Sequence, residues 1–146
     1  MSKIIIGCDP DSDKSGFAFY VDGNLERLEC LSLIGFHIKL ESLSEQFDLI
    51  ELHIEDVKSK KAVWHNRKGS QASYGMTCQR VGQCKQVQTE IERIVEYYNV
   101  KIVKHNPSSK WKDAAGKSQF ERVTGWTGRS NEDARSAAYF GYLGCR

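Results

Sequence analysis

The chain has 146 residues, and its formal net charge of +2 conceals two parts of opposite sign. A chain of this length buries one core without staples, and its apolar runs, Ile4 to Ile6 and Leu31 to Ile34 among them, fall far short of a membrane span. Five scattered cysteines without a Cys-x-x-Cys pair argue against a disulfide framework and a thiolate zinc site, and predict reduced thiols in a single-domain cytoplasmic protein.

Lys3 to Cys8 reads as a buried strand, β-branched and closed by Asp-Pro, and Gly16 to Val21 as a second. Asp22-Gly23-Asn24 offers a tight reversal into a third strand over Leu25 to Ile34. Phe36 to Phe47 carries Leu40, Leu43 and Phe47 at helical spacing, and Leu49 to Val57 alternates Ile50, Leu52 and Ile54 as a fourth strand. Lys58 to Tyr74 has no sustained period and reads as a long loop, of a length uncommon in compact domains unless it is functional. From Thr77 to Tyr98, Val87, Ile91, Ile94 and Val95 share one helical face, and "KIVK" at 101 to 104 is a fifth strand. Short and longer helices over Ser118 to Val123 and Asn131 to Leu143 complete the order, the last capped by Ser130 or Asn131.

Charge divides along the same chain. Residues 1 to 56 hold twelve acids and four bases, whereas 57 to 146 hold seventeen bases and seven acids. Val57 to Thr89 contains no acid at all, and Lys58, Lys60, Lys61, Arg67 and Lys68 fall in its loop. Such a stretch suits an anionic partner, for which nucleic acid is the common choice, or else forms a solvated face. Trp64 within it is placed to stack on an unpaired base or wedge a junction, or to anchor the loop.

Three acids stand at element ends: Asp9 after the first strand, Glu55 after the fourth, and Asp133, beside Glu132, at the start of the last helix. Singly, Asp9 is equally a turn former, Glu55 an exposed strand end, and Asp133 with Ser130 a capping pair. Together, converging carboxylates need cations, and hard oxygen donors select Mg²⁺ or Mn²⁺. Two such ions clamp an in-line phosphodiester displacement, which fits a basic loop following Glu55.

The element order is that of the ribonuclease H-like fold, a mixed five-stranded sheet flanked by helices. Within it, "IIIGCDPDSDKSG" at 4 to 16 resembles the opening of the RuvC family of Holliday junction resolvases, and "LHIEDV" is similar to that family's second acidic motif. "RVGQCKQV" at 80 to 87, "GKSQ" at 116 to 119 and "SNEDARSAAYFGYLG" from Ser130 resemble its later motifs in order, over nearly the whole chain.

The resemblance implies a single nuclease domain over residues 1 to 146, a crossover junction endodeoxyribonuclease acting as a homodimer on branched DNA with two Mg²⁺ or Mn²⁺ ions. It implies Asp9, Glu55 and Asp133 as metal ligands, Glu132 as a candidate fourth, and Lys117 as a lysine near the reacting centre. Lys110 and Lys112 are candidates for a second phosphate contact. The short chain and rewritten loop lean toward a viral version. The rival readings are a less selective nuclease on flaps, forks or RNA/DNA hybrids, and a branched-DNA-binding module with an eroded metal site. Two departures stand out: Asp11 replaces the family's glycine, and Ser130 replaces the first acid of the final pair.

Overall fold

Alternation along the strands decides which residues face which layer. In β1 (Lys3–Asp9), Ile4, Ile6 and Cys8 point to one side of the sheet and Ile5, Gly7 and Asp9 to the other. The same parity in β4 (Leu49–Glu55) sends Leu52 and Ile54 to the first side, and so puts Glu55 on the second with Asp9. The computed structural model describes residues 2–59 and 71–146, so Lys60, Lys61, Trp64, Arg67 and Lys68 lie outside the described residues.

The sheet has the order β3-β2-β1-β4-β5, with β2 (Ser15–Val21), β3 (Asn24–Leu31) and β5 (Lys101–His105). Pairing is antiparallel from β1 to β2 to β3 and parallel from β1 to β4 to β5, the mixed arrangement expected. On the first face lie α1 (Leu33–Gln46) and α2 (Gln71–Tyr97), burying Phe36, Leu40, Ile91 and Val95 against Ile6, Phe17 and Leu52. On the other lie α3 (Ala114–Thr124) and α4 (Glu132–Cys145), whose Phe120, Ala137 and Ala138 pack with Ile5, Ala18, Tyr20 and Trp111. All five cysteines are free, as expected. Among the described residues no helix is long and apolar enough to cross a membrane.

Several boundaries differ from the sequence reading, each for a local reason. The third strand stops at Leu31 because the Ser32 side chain accepts from Gly35 N–H and starts α1 there. Helix α2 begins at Gln71, inside the stretch read as loop, and Val57–Ser59 forms a single 3₁₀ turn. Helix α3 begins at Ala114, where Asp113 caps it, rather than at Ser118.

The turn after Glu55 is fixed by a polar network that periodicity does not reveal. Buried Gln88 of α2 donates to Asp56 Oδ1 at 3.0 Å and Glu92 Oε2 at 2.9 Å, while its Oε1 accepts from Lys58 N at 3.0 Å. Lys58 Nζ lies 2.6 Å from Glu92 Oε1. The C-terminal end of β4 is thereby tied to the middle of α2, as buried polar groups require.

Helix α4 lies directly on β1 and β2 through small residues. A Cβ on Gly7 would collide with the Ala137 carbonyl oxygen and approach Gly141 N to 2.7 Å. Tyr20 Oη donates to the Ala138 carbonyl at 2.6 Å and fixes the helix along its axis. Gly7→Ala must therefore push α4 off the sheet, and we expect a loss of roughly 3 kcal/mol, read as a lower urea midpoint with little change in slope.

Candidate active site

The parallel register pairs Cys8 with Ile54, so the next residues, Asp9 and Glu55, end their strands as neighbours. Both are almost fully buried. Across the antiparallel pair Asp9 stands opposite Gly16, and a Cβ on Gly16 would strike the Asp133 backbone. The glycine thus admits the first turn of α4 against β2, which delivers Asp133 to the two strand ends. Asn131, rather than Ser130, is the cap: its side chain accepts from Ala134 N–H at 2.8 Å. Asp9, Asp11, Glu55 and Asp133 line one cleft of about 260 Å³, closed on other sides by Val57, Lys112 and, from α2, Arg80, Val81 and Cys84.

Burial pushes the Asp133 carboxyl up to about 6, helped by the charges of Asp9 and Asp11 and by a hydrogen bond with Asp11. Lys112 Nζ sits 3.4 Å from Asp9 Oδ2, an ion pair rather than an aligned hydrogen bond. Burial works against its ammonium, but Asp9, Glu55 and Asp133 outweigh that and hold its pKa above the ordinary lysine value. Asp9 Oδ2 is buried and without a hydrogen bond. Behind it, burial and the neighbouring acids push the Cys8 thiol well up, so it stays protonated.

The donor set fits a hard divalent cation: the carboxylates of Asp9, Asp11, Glu55 and Asp133 line one cleft, and Asp9 Oδ2 is buried without a hydrogen bond. Asp9, Glu55 and Asp133 are the residues that could hold one. Among the described residues, no three His, Cys, Asp or Glu side chains already close on a single point.

Lys112 is held in place by a residue that the sequence reading passed over. Arg135, buried in the first turns of α4, donates from Nε to the Trp111 carbonyl at 2.8 Å and from Nη2 to the Lys112 carbonyl at 2.6 Å. Its Nη1 reaches the Ser130 carbonyl at 2.8 Å and Ser130 Oγ at 3.2 Å. Trp111 between the lysines has φ 69°, a left-handed backbone rare for a bulky residue, and its ring packs on Phe120, Tyr139 and Tyr142.

The other expected residues scatter. Lys117 is exposed in the first turn of α3 and does not line the cleft; the place expected of it beside the acids is taken by Lys112. Lys110 is exposed, and Glu132 is exposed and outside the cleft. Lys58 is exposed and ion-paired with Glu92. Arg80, Cys84 and Asp11 line the cleft without having been named as site residues, although Asp11 was marked by its departure from the glycine of the motif.

The mixed five-stranded sheet flanked by helices that carries these acids is a ribonuclease H-like fold. More narrowly, the fold is RuvC-like. The structure of RuvC from Thermus thermophilus in complex with a Holliday junction substrate superposes with TM-score 0.59 at 12% identity, covering 95% of this chain and 90% of that one. A second Thermus thermophilus RuvC structure gives TM-score 0.58 at 12% identity, covering 97% and 93%. No sequence-family model and no curated protein sequence matches the chain.

Two measurements check the site. Because the Asp133 carboxyl binds its proton more tightly folded, at about 6, than its ordinary 3.8, its stabilising protonation is complete below about 4 and lost as pH rises through 6. In EDTA, Asp133→Asn should therefore raise Tm relative to wild type at pH 8 more than at pH 5, and Mg²⁺ should narrow the pH 8 difference. Arg135→Met should cost about 3 kcal/mol by leaving buried carbonyls unpaired. Urea unfolding followed by tryptophan emission reads this, since Trp111 is buried against Arg135's partners.

Proposed function

We propose that this chain is a metal-dependent, structure-specific DNA endonuclease that resolves four-way junctions, cutting paired phosphodiester bonds to leave 5′-phosphates. It acts as a DNA-associated homodimer in the cytoplasm, so that two clefts meet opposite strands. The observation that carries this reading is the meeting of Asp9, Glu55 and Asp133, from three distant segments, in one cleft beside Lys112. The RuvC-like fold supports it, as does the description of the first neighbour as a complex with a Holliday junction.

Bound Mg²⁺ or Mn²⁺, held by Asp9, Glu55 and Asp133, would supply Lewis acidity and positive charge at the scissile phosphate. The chain's own contribution is orientation and charge. Strand ends fix Asp9 and Glu55, and the close seat of α4 on Gly16 fixes Asp133. Lys112, ionised at working pH, offsets charge gathering on the phosphate oxygens. Arg80 at the cleft edge receives a neighbouring phosphate, and the basic stretch with Lys58, Lys60, Lys61, Arg67 and Lys68 supplies further phosphate contacts, with Trp64 for an unpaired base. Lys110 and Lys117 are assigned to phosphate contact outside the reacting centre.

The test is a panel of labelled four-way junctions, forks, flaps, RNA/DNA hybrids and duplexes with Mg²⁺ or Mn²⁺. Paired symmetric nicks in junctions are expected, with cutting abolished by Asp9→Asn and slowed about 100-fold by Lys112→Met while junction binding persists. Equal cutting of every branched form would favour the less selective nuclease. Tight junction binding with no cutting by wild type would favour a binding module.

A further inference from the structure

We infer that Asp11 is the fourth carboxylate of this cleft, doing at the turn after β1 what the resolvase pattern assigns to an acid at the start of α4. The inference rests on the metal-dependent reading above and concerns which residues hold the ions. Three neighbours at the α4 start are committed elsewhere. Ser130 Oγ accepts from Arg135, Asn131 caps the helix and contacts Cys30, and Glu132 is exposed outside the cleft. No oxygen from that segment other than those of Asp133 reaches the site.

Asp11 does line the cleft, half-buried, on the same wall as Asp9 and Asp133. Its backbone N–H donates to Ser15 Oγ at 3.1 Å, and its Oδ1 accepts from Ser12 N–H at 2.7 Å, so the turn aims the carboxylate rather than leaving it to rotate in solvent. Cys84 of α2 closes over it, with Sγ 3.9 Å from Oδ1. A second observation points to a cation in the cleft: Asp9, 5% exposed, has Oδ2 buried without a hydrogen bond, with the Lys112 ammonium 3.4 Å away as its ion-pair partner. A carboxylate added next to such a group raises repulsion unless positive charge arrives. A glycine at this position supplies no donor, so Asp11 and the missing acid at Ser130 read as one exchange of donor, from the start of α4 to the turn after β1.

The alternative is that Asp11 only shapes the turn. Asn distinguishes the two, because an Asn amide oxygen still accepts from Ser12 N–H while the charge is gone. We would titrate the whole protein with Mn²⁺, without DNA, at pH 7.5, and follow free Mn²⁺ by electron paramagnetic resonance. Asp11→Asn is expected to weaken Mn²⁺ binding about tenfold or more, whereas Glu132→Gln and Ser130→Ala leave it unchanged. Melting in EDTA should find Asp11→Asn at least as stable as wild type, since it relieves repulsion. Asp11→Ser, a second uncharged turn former, should repeat the loss. Wild-type Mn²⁺ binding by both Asp11 variants overturns the inference, as does an equal loss in Glu132→Gln. If Asp9→Asn loses Mn²⁺ and the Asp11 variants do not, only this inference falls. If Asp9→Asn also binds as wild type, the metal-dependent reading falls with it.

Discussion

The seating of α4 on the sheet governs the rest of the molecule. Gly7 and Gly16 have no side chains where the Ala137 and Asp133 backbones arrive, and Ala134, Ala137, Ala138 and Gly141 keep the helix face equally thin. At that distance the helix start and the strand ends become one surface. A bulkier interface would leave a sheet with two acids at its edge and a helix with another, several ångströms apart and chemically unrelated.

Close packing of this kind gathers charges that repel, and the fold offsets the repulsion only in part. Lys112 stands against Asp9, and burial first, then the charges of Asp9 and Asp11, make the Asp133 carboxyl hold its proton more tightly. Apolar packing on both faces of the sheet, from Phe17, Phe36, Ile91 and Val95 on one side and Trp111, Phe120 and Tyr20 on the other, sustains that unfavourable cluster. Sites that act on charged substrates commonly carry such local instability.

Legibility in the sequence followed the physics of each level. Strand parity is short-range, so "IIIGCD" and "LHIE" carry the shared face of Asp9 and Glu55, whereas the order of the strands in the sheet rests on long-range pairing that the element order alone does not state. Asp133 was marked by its place at the start of the last helix, and the resemblance of the last motif then implied its role as a metal ligand. The motif resemblance put Lys117 near the reacting centre and Lys112 at a second phosphate contact, whereas Lys112 is the one in the cleft, because the difference lies in a left-handed Trp111 and in Arg135's reach to carbonyls more than twenty residues earlier. No local pattern encodes a long-range bond from guanidinium to backbone. The Gln88 network is hidden likewise, since a glutamine on a helical stripe looks like an interruption until Asp56 and Lys58 are found against it.

The left-handed backbone at Trp111 bears on how the site meets its ligand. A free lysine loses considerable rotamer freedom when it settles on a phosphate. Here the peptide before Lys112 is locked by Arg135, its neighbour's ring is wedged among three aromatics, and its ammonium already rests on Asp9. Most of that ordering is done during folding, so the Lys112 ammonium stands preorganised in the cleft, its entropic cost carried by the core.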